Sequence, residues 1–161
     1  MTKSQTHKPI GGVARVALHS ADAVREVSFA SDGECAILFG DEATEVELLD
    51  DGSTFVEKIT TDTGIALVRH TLSLVASRNS AEAWLDPDFL QRATRIGVIA
   101  EVVLNDGRAF VVGYSQHLTT EQPLRLREAT ISSGDTPLCS PTVTLCLTST
   151  DGHAAAKLIQ T

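Results

Sequence analysis

Short aliphatic and β-branched runs dominate the chain, broken at Asp32-Gly33, Asp51-Gly52 and Asp106-Gly107. Asp-Gly supplies positive φ in tight turns, so runs ended this way predict antiparallel hairpins. The pattern predicts strands over 13–18, 24–30, 35–39, 45–49, 54–59 and 65–77, then a helix, then strands over 98–104, 108–114, 124–132 and 142–149. The intervals between turns are unequal, which excludes a solenoid or propeller period.

Two strands change parity. The apolar set of 65–77 slips between Leu67 and Val68, and that of 124–132 slips between Leu126 and Ala129. A one-residue slip turns side chains to the other face, so each predicts a β-bulge or a strand moving between sheets. The hairpin turning at Asn105-Asp106-Gly107 carries the strongest signal, because both flanks are rich in Val, Ile and Phe. Those flanks are apolar on both parities apart from Glu101, so the hairpin is either covered on both faces or meets another subunit.

The helix is expected over 87–96, with Asp86 as N-cap, Pro87 at N1, Asp88 in the first turn and Gly97 beyond the end. Leu85, Phe89, Ala93 and Ile96 follow helical spacing, widened by Leu90, and this stripe should seal one side of the sheets. The fold class is therefore mainly β, an antiparallel β-sandwich or β-barrel with one flanking helix. The polar segment 1–12 reads as a mobile arm, 13–150 as one β-rich domain and 151–161 as a tail.

Charge narrows the function. Thirteen Lys and Arg against twenty-one Asp and Glu give a formal net charge of -8. Such a molecule repels phosphate backbones at long range, which argues against sequence-specific nucleic-acid binding. Cys35, Cys139 and Cys146 form no CxxC pair and are odd in number, so a reducing compartment, the cytoplasm, is expected. No apolar run is long enough for a membrane span.

Candidate chemistry is sparse. No zincin, dinucleotide-binding, P-loop, nucleophile-elbow or EF-hand motif is present, and the five histidines stand at no metal-ligand spacing, so no cofactor or metal is expected. Ser115 and His117 are close in sequence, but a triad also needs a carboxylate behind the histidine, and a polar turn accounts for them. His70 shares parity with Val68, Leu72 and Leu74, and a buried histidine with a backbone partner is expected there. Asp41, Glu42, Glu45, Glu47, Asp50 and Asp51 place six acids and no base within eleven residues. That segment is a solvated face, or a patch that repels nucleic acid or meets a basic neighbour. Arg125 and Arg127, on one strand face, could pair with it across a subunit boundary.

The order of elements resembles prophage-encoded virion proteins and, more loosely, the tail-tube subunits of tailed phages and related injection machines. The match runs through Gly12-Val13, the stretch 68–74 with His70-Thr71-Leu72, a helix, and Val98-Ile99-Ala100-Glu101-Val102. It continues through Gly107, Val112-Gly113-Tyr114, Ser133-Gly134 and a closing strand over 142–147, covering most of residues 12 to 149. The resemblance implies a sandwich or barrel with a flanking helix, assembling into rings, commonly hexamers, that stack into a tube. It also implies sheets joined around a lumen, often acidic, with other tail proteins as partners and the virion tail as destination. The six acids above are candidates for that lumen or for a contact, and no catalytic residue is implied. The chain departs from the pattern in lacking an obvious long stacking insertion. The alternatives are a tail-completion or baseplate accessory protein, and a small-ligand-binding β-barrel or unfamiliar enzyme.

Overall fold

The computed structural model describes residues 12–31, 34–49, 52–62, 64–115, 120–133, 141–151 and 155–158. Its strands are β1 (Val13–Ser20), β2 (Val24–Phe29), β3 (Cys35–Phe39), β4 (Thr44–Val46), β5 (Thr54–Asp62), β6 (Ile65–Ser77), β7 (Val98–Leu104) and β8 (Ala109–Val112). They continue with β9 (Tyr114–Ser115), β10 (Thr120–Glu121), β11 (Arg125–Ser132), β12 (Thr142–Asp151) and β13 (Ala156–Lys157). The helices are α1 (Arg78–Ala81) and α2 (Pro87–Arg95). A five-stranded sheet, β13-β8-β7-β1-β4, faces a four-stranded sheet, β11-β12-β6-β5, and all pairings within both are antiparallel. The architecture is a sandwich, as the alternation of apolar and polar positions implies.

The core lies between the two sheets. Val16 and Leu18 of β1, Val102 of β7, Leu72 and Leu74 of β6, and Val143, Leu145 and Leu147 of β12 meet there with almost no solvent exposure. Each contributes roughly 1.5–3 kcal/mol by leaving water. The strict alternation along β12, with Val143, Leu145 and Leu147 inward and Thr142, Thr144, Cys146 and Thr148 half-buried on the other face, sets its register.

The hairpin of β7 and β8 sits in the middle of its sheet, and its own chain covers both faces. Val98, Ala100, Val102 and Val112 face the main core, whereas Ile99 and Val111 pack under the β2–β3 hairpin with Cys35, Val27, Phe29 and Ile37. A separate two-stranded layer thus fills the second apolar face at Ile99 and Val111, while Val103 stays half-buried on it.

α2 starts and stops where its caps dictate. The Asp86 carboxylate accepts from the Phe89 N–H at 2.7 Å, Pro87 opens the first turn, and Gly97 follows the helix at φ 89°. Phe89 and Ala93 are buried, and Trp84 stands edge-on to Phe89 at 5.1 Å. Ile96, expected on the same stripe, is 38% exposed because the chain turns away at Gly97. The one-turn α1 follows β6 directly, its start capped by the Ser77 hydroxyl, which accepts from the Ser80 N–H.

Of the two expected slips, the second is a bulge: the β11–β12 register shifts between Leu126 and Glu128. The first is not. β6 pairs without interruption with β5 from Ile65 to Ser73 and with β12 from Val68 to Ser77. The apolar residues change parity because the hairpin end overhangs the core, leaving Ile65 63% and Leu67 45% exposed. Arg125 and Arg127 are separated by the β11 bulge, and Arg125 donates to the Thr94 and Arg95 carbonyls at the end of α2. Satisfying those last carbonyls is a local task for an arginine, so only Arg127 stays available for the pairing expected of both. No described helix is long and apolar enough to cross a membrane.

Candidate functional site

The acidic segment does not stay together. Asp50 and Asp51 lie outside the described residues, Glu42 is exposed ahead of β4, and Asp41, Glu45 and Glu47 turn toward the outer face of the five-stranded sheet. There the cross-strand register sets Glu45 of β4, Ala17 of β1 and Glu101 of β7 side by side. Alanine in the middle leaves a depression between the two glutamates. The result is a groove of about 840 Å³, lined by Arg15, His19, Glu45, Glu47, Glu101 and Val103 among others. Arg15 reaches Glu45 at 3.5 Å, but both side chains are nearly three-quarters exposed, so the pair contributes well under about 1 kcal/mol.

At one end of the groove stands a buried ionic clasp. His19 Nδ1 lies 2.9 Å from Asp41 Oδ1 and His19 Nε2 lies 2.8 Å from Glu101 Oε1, with the side chain 7% exposed. The Phe39 ring stacks on it at 3.6 Å and an interplanar angle of 4°. The Ser20 N–H donates to the second Asp41 oxygen at 3.0 Å, fixing that carboxylate. Burial, the largest single influence, pushes the imidazole pKa down. The hydrogen bonds and charges of Glu101 and Asp41 together outweigh it, so His19 is held above its ordinary value. Both ring nitrogens face carboxylates, which favours the doubly protonated ring and leaves no lone pair to bind a metal or take a proton. The clasp links β1, β7 and the chain leaving β3, so it fastens the β2–β3 layer over the sheet.

His70 is buried, as its parity implies, but its partners are side chains and not backbone. Cross-strand register places Glu57, His70 and Ser149 in one row. His70 Nδ1 is 3.4 Å from the Ser149 hydroxyl, and Nε2 is 3.3 Å from Glu57 Oε2, off the axis of a good hydrogen bond. An acid, a histidine and a serine in series resemble a hydrolytic triad in order alone. Ser149 is 9% exposed and faces the core, and the groove lies on the other sheet. Burial pushes Glu57 up, but His70 and the Ala155 N–H, donating at 2.9 Å, hold it below its ordinary value.

The thiol chemistry is subdued. Burial, with a smaller push from Glu101, raises Cys35 to about 11, so it stays protonated near neutrality. Cys139 lies outside the described residues, as do Gln116 and His117 of the Ser115 motif. Among the described residues no group of three or more metal-ligating side chains converges.

Sequence reasoning missed the clasp, because His19 is 22 residues from Asp41 and 82 from Glu101. The available signal was Glu101, the one charge in a doubly apolar strand, which required a partner. Compared with known proteins, the chain matches no family model, no curated protein and no solved structure.

Proposed function

We propose that the chain is a structural subunit without catalytic activity that assembles side by side into rings, with the tail tube of a phage-like particle as its leading identity. The observation that carries this reading is the pair of long edges on the four-stranded sheet, nine residues in β5 and eight in β11. An edge of that length presents a row of backbone donors and acceptors ready to pair with another chain. The two edges are different surfaces, so β5 of one copy against β11 of the next is a head-to-tail contact, and such contacts continue until rotation closes a ring. Closure joins the sheets into one continuous wall and removes the edges.

On this reading the partners are further copies, six in the family pattern, and other tail proteins. The chain is made in the bacterial cytoplasm and finishes in the virion tail. Glu45 and Glu47 line the groove on the five-stranded sheet, away from the β5 and β11 edges, and are candidates for an inter-subunit contact or a lumen wall. An accessory tail protein remains the second reading, since the same edges would then close only small rings.

Solution mass with negative-stain imaging tests the proposal. The wild type should form rings or tubes. A variant carrying Val56→Lys on β5 and Ile131→Lys on β11, both exposed positions, should be monomeric with an unchanged melting temperature. Wild-type protein that remains monomeric at high concentration, or a variant that assembles equally well, contradicts it.

A further inference from the structure

The segment 40–43 joins the β2–β3 layer to the edge of the five-stranded sheet. Behind it, the exit from β3 is held by the Gly40 N–H, which donates to the Ala23 carbonyl at 2.7 Å. Ahead of it, β4 pairs with β1 over a short register, Val16 with Val46, Ala17 with Glu45 and Leu18 with Thr44. The far end of β4 is secured, because Val46 is buried and the Leu49 N–H donates to the Val75 carbonyl at 2.9 Å. The near end depends on Asp41, which ties the segment to the end of β1 through His19 Nδ1 and the Ser20 N–H.

The protonation of His19 decides whether Asp41 can stay. A doubly protonated ring donates to Asp41 and Glu101 at once, whereas a neutral ring carries a single N–H. Glu101 is 29% exposed, and His19 is its only hydrogen-bond partner among the described residues. Asp41 also accepts from the Ser20 N–H, so the remaining proton is needed most at Nε2, facing Glu101. The Nδ1 lone pair then confronts the Asp41 oxygen at 2.9 Å, and two acceptors this close in a buried site repel. Glu101 stands on β7, enclosed between β1 and β8, so the connection carrying Asp41 is the part that yields. The surrounding charges do not replace the lost proton. Arg15 reaches Glu45, Arg25 of β2 lies against Gly40, Asp22 accepts from the Ser20 hydroxyl, Glu42 is exposed, and Glu47 lines the groove. The Cys35 thiol, which feels Glu101, titrates only at about 11.

We propose that His19 is a proton-operated latch on the edge of the five-stranded sheet: when the ring gives up a proton, residues 40–45 leave β1 and uncover its backbone at Ala17 and Leu18. The opening is local, since Val46 and β7 stay in place. It happens within one copy and is independent of any pairing at β5 and β11. Burial lowers the ring's affinity for the proton, but Glu101 and Asp41 together raise it further, above the ordinary 6.5. The latch is therefore shut below about pH 6.5 and opens as pH rises through the folded value. Opened, β1 offers the unpaired donors and acceptors of an edge strand, which the shut latch hides.

Hydrogen exchange on the full chain tests the latch between about pH 6 and about pH 9, read as protection factors so that the intrinsic effect of pH cancels. Protection of residues 40–46 should fall at least about tenfold across this range while that of β7 and β12 holds. Over the same interval, nuclear magnetic resonance of the ring nitrogens should show His19 losing its second proton. Glu101→Gln supplies an amide that can donate to Nε2, which leaves the neutral ring its Nδ1–H for Asp41. That variant should stay shut throughout, and His19→Ala should be open at every pH. Protection at 40–46 that does not change with pH would overturn the proposal, as it would if only the Glu101 side chain turned away. So would a loss that spreads equally to β12, a ring still doubly protonated at the upper limit, or Glu101→Gln with the pH dependence of wild type.

Discussion

The five-stranded sheet ends in strands of three and two residues, β4 and β13, whereas the four-stranded sheet ends in strands of nine and eight. Their outer faces differ in the same sense. The first sheet carries the β2–β3 layer over Ile99 and Val111, fastened by the His19 clasp. The second has no layer over the half-buried hydroxyls of Thr71, Thr144 and Thr148 among the described residues. One chain therefore treats the same hazard in two ways. Short edges and a covering layer finish the first sheet within the molecule, and the second ends in long edge strands on both sides.

The sharpest contrast is between buried and edge positions. Val102, wholly buried in β7, should not tolerate a charge: Val102→Asp is expected to lower stability by about 4 kcal/mol or more, measured by denaturant unfolding. A loss below about 1 kcal/mol would mean that Val102 is not enclosed between the sheets.

Next in size is the clasp. His19→Ala removes two charge-assisted hydrogen bonds and a ring stack, and should cost about 2–3 kcal/mol. The effect depends on pH. Because His19 is held above its ordinary 6.5, its contribution is fully present below about pH 6.5 and lost as pH rises through the folded value. Glu57 acts oppositely: held below its ordinary 4.5, it contributes above about pH 4.5 and loses that contribution as pH falls through its folded value. Wild type should therefore lose this stability as pH rises above about 6.5, and His19→Ala should not. Parallel profiles for the two proteins would remove the clasp from the account.

Gly97 marks a joint between the sheets. Its φ is 89°, and an added Cβ would lie 2.5 Å from the Pro123 side chain and 3.0 Å from the Leu124 carbonyl oxygen, just before β11. Gly97→Ala should cost about 2 kcal/mol from strain and crowding together, read as a lowered melting temperature. The smallest effect belongs to the open edge. Ile131→Lys, at a position already 56% exposed, should change monomer stability by less than about 0.5 kcal/mol while weakening association. A large loss of monomer stability would show that β11 is already covered.

Much of this contrast was legible in the residues. Asp106-Gly107 between β-branched flanks defined the β7–β8 hairpin, Asp86, Pro87 and Gly97 bounded α2, and the parity of Leu126 against Ala129 reported the β11 bulge, because each signal is local. The exposed Ile65 and Leu67 gave a false bulge, since parity arguments assume a core on one face, and this hairpin end has none. The acidic run was visible as a run, but its division between clasp, groove and solvent depends on β4 pairing with β1, a contact between residues about thirty apart. Very short strands such as β13, with two residues, carry too little pattern to be read.

Hydrogen exchange as a function of protein concentration tests the central claim at the edges themselves. At low concentration the outward amides of β5 and β11 should exchange quickly. On raising the concentration they should become protected together, while those of β4 and β13 change little. Exchange at β5 and β11 that stays equally fast at every concentration would contradict the claim that the four-stranded sheet is completed by a neighbouring copy.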